Sequence, residues 1–186
     1  FNSCREHRMP EYSFNYQFTH IPPIMKRGRH VLIVVRDTEN KFILGSKKIY
    51  PPYIYRFVGG GITPGDEVGI AAKRELEEEL KIRIDEKYLK PIAKFTVQVS
   101  NTNEQYKFET FLFALTTALR PDTLTASDDL DGLAHLTKEE VFELARRYKK
   151  LSNDLVDLWG DKERLFSWSD YGKFYSEVHR IAMELV

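Results

Sequence analysis

Three carboxylates, Glu75, Glu78 and Glu79, sit at i, i+3 and i+4 in the stretch Arg74-Glu75-Leu76-Glu77-Glu78-Glu79-Leu80. On a helix that spacing puts all three on one face. Acids so close repel one another, and a divalent cation is the simplest partner that makes the cluster tolerable. At about 100° per residue, Val68, Ala72, Leu76 and Leu80 form an apolar stripe. Glu75 and Glu78 border that stripe and Glu79 falls at its edge, whereas Lys73, Glu77 and Lys81 face away. Acids beside a buried edge are costly unless something neutralises them. Arg74, one turn before Glu78, is placed to pair with it.

A glycine loop precedes the helix. Gly59-Gly60-Gly61 lets backbone approach a ligand with no Cβ in the way, and the helix N-terminus adds a positive dipole end nearby. Thr63-Pro64-Gly65-Asp66 reads as a turn, with Asp66 the expected N-cap of a helix over about 67–81. The lysine signature of a P-loop is missing, so the loop is not a nucleoside-triphosphate cradle of that kind.

Together, loop and helix resemble the Nudix box: glycine, five residues, an acid, seven residues, then Arg-Glu-apolar-x-Glu-Glu-x-Gly-apolar. Gly60, Arg74, Glu75, Leu76, Glu78, Glu79 and Ile82 fill their places. Asp66 replaces the first acid, with a shorter arm. Lys81 replaces the last glycine, so the end of the helix is expected to differ. The resemblance implies a Nudix-like α/β/α sandwich with a mixed β-sheet flanked by helices. It also implies a pyrophosphohydrolase that uses Mg²⁺ or Mn²⁺ to cleave a diphosphate linkage in a nucleotide or nucleoside diphosphate derivative. It makes Arg74, Glu75 and Glu78 catalytic, and Glu75, Glu78, Glu79 and Gly60 the metal site. Family enzymes often add an acid from a loop after a long hairpin. Asp128, Asp129 and Asp131 occupy that place, with Asp129 favoured and Glu109 a competitor on a strand.

For substrate contacts, Arg56 can hold a phosphate bidentately, and Gly59 and Gly61 bring backbone close. Tyr55, with Tyr53 and Phe57, could stack on a ring, although packing explains such aromatics as well. Further along, Phe166-Ser167-Trp168-Ser169-Asp170-Tyr171 is aromatic and opens a helix with Val178, Ile181, Ala182 and Leu185 on one face. A helix packed on the domain is the plain reading of that stripe; a dimer contact or a wall for a substrate ring is the sharper one.

The elements that must carry these residues are legible in outline. Val31–Val35 is a continuous apolar run, as in a central strand. Residues 41–45 return, and Arg56-Phe57-Val58 delivers the glycine loop. Residues 92–99 alternate and, with 105–115, read as a hairpin. Residues 116–131 read as a loop. Thr137-Lys138-Glu139-Glu140 is a capping box for a helix with Val141, Leu144, Ala145 and Tyr148 inward. We divide the chain into an N-terminal arm or edge strand at 1–29, a Nudix domain at 30–150 and a C-terminal helical extension at 151–186.

Composition narrows the function. The chain has 186 residues, with 28 basic and 28 acidic side chains and no net charge. That balance argues against a dedicated nucleic-acid binder, and the clusters at 26–29 and 146–150 read as solvated surface. The start does not read as a signal peptide, and no stretch reaches the length of a transmembrane helix. A cytoplasmic enzyme acting on a small nucleotide or diphosphate, as a monomer or homodimer, is expected. Cys4 is the only cysteine, so there is no disulfide framework and no thiolate metal site. An isopentenyl-diphosphate-isomerase-like enzyme, which needs a cysteine in its site, is a weaker alternative, as is a non-catalytic Nudix ligand sensor. The five histidines show no metal-ligand spacing, and packing or surface roles are expected for them.

Overall fold

A computed structural model describes residues 9–186. Cys4 and one of the five histidines, His7, lie outside the described residues. Seven strands form one mixed sheet in the order β1-β5-β6-β2-β4-β3-β7. They are β1 (Glu11–Gln17), β2 (Arg29–Arg36), β3 (Phe42–Ser46), β4 (Arg56–Gly61), β5 (Leu89–Ser100), β6 (Gln105–Leu115) and β7 (Gly132–Leu136). Helix α1 (Val68–Leu80) packs on one face, and α2 (Lys138–Lys149) and α3 (Trp168–Leu185) pack on the other. A two-stranded ladder, β8 (Leu155–Val156) with β9 (Phe166–Ser167), lies outside the sheet. The architecture is an α/β sandwich around a mixed sheet.

The apolar run in β2 follows from its central place. β2 pairs parallel with β6 and antiparallel with β4, so both faces are covered. Val31, Ile33 and Val35 join Leu76 and Leu80 of α1, and Leu32 and Val34 join the α2–α3 side. Fully burying a side chain such as Leu76 stabilises by about 1.5–3 kcal/mol. The β5–β6 hairpin forms as expected, with Phe95, Val97 and Val99 inward.

Three local expectations change. Residues 132–136, which show little strand signal, form β7 on the edge by pairing with β3. The capping residue of α1 is Glu67, which makes no side-chain cap bond. Asp66 instead accepts a hydrogen bond from Arg74 at 3.0 Å. At the other end, Lys81 takes the left-handed conformation, φ 56°, that glycine would adopt there, and its N–H donates to the Glu77 carbonyl. The helix therefore ends as a glycine would end it, with a side chain carrying the strain. For α2, Thr137 and Glu140 form both bonds of the capping box.

Candidate active site

A cavity of about 380 Å³ opens where β4, α1, the loop before β4 and the chain after α2 meet. Its acidic end holds Gly59, Gly60, Glu75, Glu78, Glu79 and Asp129, and Arg56 also lines it. Strand β4 runs through the glycines to Gly61, so the loop read from sequence is a strand end facing α1. The packing there is too close for a side chain. A Cβ on Gly60 would stand 2.5 Å from the Glu75 carboxyl carbon, so the absent methyl is the cradle that seats this acid. On Gly59 a Cβ would meet the Val31 carbonyl oxygen. Gly59 N–H donates to Glu79 Oε2 at 3.2 Å, tying the strand to the helix.

Burial sets the electrostatics. Glu75 and Glu79 are buried on the inner edge of α1, and the Glu78 side chain is 59% exposed. Burial, reinforced by the charges of Glu79 and Glu78, pushes the Glu75 carboxyl up to about 7 against the opposing pull of Arg74. Burial likewise raises Glu79, opposed by Arg56, the Gly59 N–H and Lys47. Arg74 stands behind the acids and does not line the cavity. Its guanidinium reaches Asp66, the Gly61 carbonyl at 3.0 Å, Glu75 at 3.6 Å and Glu78 at 3.7 Å. It braces loop against helix, which is a positioning geometry.

Could the acids hold a cation? Among the described residues no three carboxylate or imidazole groups converge as a finished cage. The donor set is nonetheless all oxygen, which suits Mg²⁺ or Mn²⁺. A carboxyl seated in the Gly60 cradle and lifted to about 7 is a group short of positive charge. Glu78 is exposed, with its carboxylate 3.7 Å from Arg74. The residues fit a divalent metal.

The cavity also contains groups that the sequence did not single out. His30 is one, buried with Nδ1 unpartnered; Arg56, expected at the substrate, does line the cavity and is buried with Nε unpartnered. Burial, then the charges of Arg56, Arg27 and Lys47, hold His30 well below the usual imidazole range, so it is neutral. Burial works against the charge on Arg56, but the phenol oxygens of Tyr50, Tyr171 and Tyr175 and the Glu79 carboxylate favour it. Arg56 has no carboxylate within salt-bridge distance among the described residues. Arg27, from a cluster read as solvated surface, and half-buried Lys47 also line the cavity. Nothing local in the sequence marks His30 or Lys47.

Of the loop acids, Asp129 lines the cavity, and Asp128 and Asp131 do not. Glu109 is paired with Lys94 at 2.8 Å, away from the cavity. Tyr55, expected at the substrate, is not on the cavity wall. Its ring packs against the core, and its carbonyl accepts from Tyr148 at 2.5 Å. Tyr53 is exposed, and Phe57 stacks on His179 at 4.6 Å. The aromatic wall comes instead from Tyr50 and from Trp159, Phe166, Trp168 and Tyr171.

Comparison with known proteins agrees with this geometry. The family model of the NUDIX domain matches residues 26–156. The chain belongs to the Nudix family. Membership places it with the Nudix hydrolases, which act on phosphorus anhydrides. Two solved structures share the fold. A MutT protein from Methanosarcina mazei Go1 is 13% identical over 94% of this chain and 96% of its own, with a TM-score of 0.50. A MutT protein from Bacillus halodurans is 22% identical over 62% of this chain and 72% of its own, also at 0.50. A Caenorhabditis elegans Ap4A hydrolase aligns at 22% identity over 64% and 86%, with a TM-score of 0.45. No curated protein sequence matches the chain. No helix among the described residues is long and apolar enough to cross a membrane.

Proposed function

We propose that this Nudix chain is a Mg²⁺- or Mn²⁺-dependent pyrophosphohydrolase that cleaves the diphosphate linkage of a nucleotide or nucleoside diphosphate derivative. One observation carries the reading. Glu75 sits in the Gly60 cradle beside Glu79, in the same cavity as a buried, carboxylate-free Arg56. A cation-seeking end and an anion-seeking end in one cavity fit a metal-bound diphosphate.

Glu75, Glu78 and Glu79, with the Gly60 backbone, would hold the cation, which supplies an acidified water and charge neutralisation on phosphoryl oxygens. The remaining roles fall to the chain. Arg56 donates from a buried position to a phosphate oxygen, where the local dielectric strengthens the contact. Neutral His30 offers a hydrogen bond without adding charge. Gly59 lets backbone approach the phosphates, whereas Gly61, also expected there, is off the cavity wall with its carbonyl bonded to Arg74. Asp129, exposed at the rim, is the acid placed to take a proton from the attacking water. Arg74 orients Glu75 and Glu78 without touching substrate.

A Mg²⁺-dependent phosphate-release screen over nucleotide sugars, dinucleotides and nucleoside triphosphates tests the reading. Turnover that vanishes on chelation is expected. Binding without turnover of any diphosphate would point to a ligand sensor instead.

A further inference from the structure

The far end of the cavity is built by chain that lies beyond the family-matched span, which stops at residue 156. Residues 157–165 form the loop of the β8–β9 ladder, where Leu155 pairs with Ser167 and Val156 with Phe166. The loop is tied down from within. Asp157 Oδ1 accepts from the backbone N–H groups of Trp159, Gly160 and Asp161 at 3.2, 2.6 and 3.2 Å. Arg164 lies 3.8 Å over the Trp159 ring and braces one side of it. Even so, Trp159 remains 43% exposed, a large amount for an indole that nothing solvates well.

Around it stands a nest of rings in edge-to-face order. Phe166 meets Trp168 at 5.0 Å and 74°, and Trp168 meets Tyr171 at 5.0 Å and 78°. Tyr50 meets Trp168 at 5.9 Å and 80°. Tyr171 then accepts a hydrogen bond from Arg56 Nη1 at 3.4 Å. The rings are therefore linked through one hydroxyl to the buried cation beside the acids. Aromatic side chains held rigidly and left partly open form a stacking platform for a flat ring. The total volume, about 380 Å³, lies within the range of roughly 300–1,000 Å³ typical of small-molecule sites.

We infer that Trp159, with Phe166 and Trp168 behind it, is the specificity wall of the enzyme, stacking on a flat ring carried by the diphosphate at the end away from the acids. The inference rests on the hydrolase reading for the identity of the phosphate end. Ring recognition then resides in the C-terminal segment, and Tyr171 is a positioning residue that sets Arg56 between ring and phosphate. A substrate without a ring uses the acidic end alone.

Calorimetric titration in Mg²⁺ buffer tests this with three probes: ADP, UDP and inorganic pyrophosphate. The proteins are wild type, Trp159→Ala and, because Trp168 is buried, the gentler Trp168→Phe, each checked by circular dichroism. We expect wild type to prefer at least one ring-bearing probe to pyrophosphate. Trp159→Ala should weaken that probe by roughly tenfold or more, the loss typical of one stacked base, and leave pyrophosphate unchanged. Equal binding of all three probes in wild type, unchanged ADP and UDP binding in Trp159→Ala, equal loss of all three, or no binding at all would each overturn the wall. The two readings separate cleanly. Ring-selective binding with no hydrolysis of any diphosphate keeps the wall and removes the hydrolase. Hydrolysis with no ring preference does the reverse.

Discussion

Helix α1 buries two carboxylates along with its leucines, whereas α3, on the opposite face of the sheet, buries rings: Tyr171, Phe174, Tyr175 and the neutral His179. In α3 the polar atoms are mostly settled within the core. His179 Nδ1 pairs with the Tyr175 carbonyl at 2.7 Å, and its Nε2 accepts from Phe57 N–H at 3.4 Å. Burial holds that imidazole down at about 4, so it stays uncharged. In α1 the polar atoms are under tension. Glu75 and Glu79 share one edge, and Arg74 offsets only part of their repulsion. One layer is arranged for stability and the other gives up stability to be ready for a ligand, a trade common at functional sites.

Substitutions on the two layers should therefore separate activity from stability. The largest effect belongs to Glu78→Gln. We expect kcat/KM to fall by several orders of magnitude with no change in melting temperature, because an exposed charge of the proposed metal site is lost but little apolar burial. A near-normal rate would remove Glu78 from the site.

Next comes the pH dependence of the metal-free protein. A carboxyl raised from its usual value to about 7 favours the fold while protonated. That support is complete below the unfolded pKa, near 4.3, and is lost as pH rises through about 7. Glu75→Gln should remove the loss and melt higher than wild type above pH 7, by on the order of 3 kcal/mol, while being inactive. Chemical denaturation at pH 5 and pH 8 without metal measures it. Identical pH dependence in the two proteins would contradict the strain assigned to Glu75.

On the other layer, Gly172 lies where α3 touches α2, and a Cβ there would meet the Tyr148 carbonyl oxygen. Gly172→Ala should cost about 1–3 kcal/mol, since backbone cannot retreat as a side chain can. An unchanged denaturation midpoint would show that the helices slide freely. Gly60→Ala sharpens the contrast. Its Cβ meets the movable end of Glu75. The fold should survive while activity drops about a hundredfold, as expected when a reacting geometry moves by about 1 Å. Unfolding instead of inactivation would show that the cradle is structural.

How much of this was legible in the residues depended on the range of the interactions. The apolar stripe of α1, the acids beside it, the 92–115 hairpin and the Thr137–Glu140 capping box are local patterns, and the structure forms them where the spacing predicts. Asp66 was misread as a cap because a distant guanidinium, Arg74, draws its carboxylate away. β7 was missed because Gly132-Leu133-Ala134-His135-Leu136 is a strand only by virtue of its partner β3. The cavity is the least local feature. His30, Lys47 and Trp159 come from three remote segments, and no spacing links them. Tyr55 looks like the ring contact because it stands near the glycines in sequence, yet the aromatic wall is built by Tyr50 and by four rings more than 100 residues further on. The density of aromatics at 166–175 was the one signal pointing there.

The account turns on whether the α1 acids chelate a divalent ion. Manganese titration followed by electron paramagnetic resonance measures this directly, on wild type and on Glu75→Gln and Glu78→Gln. We expect wild type to take up Mn²⁺ and each variant to lose most of that uptake. Mn²⁺ bound equally by all three proteins, or by none, would contradict the assignment of the acidic edge as a metal site.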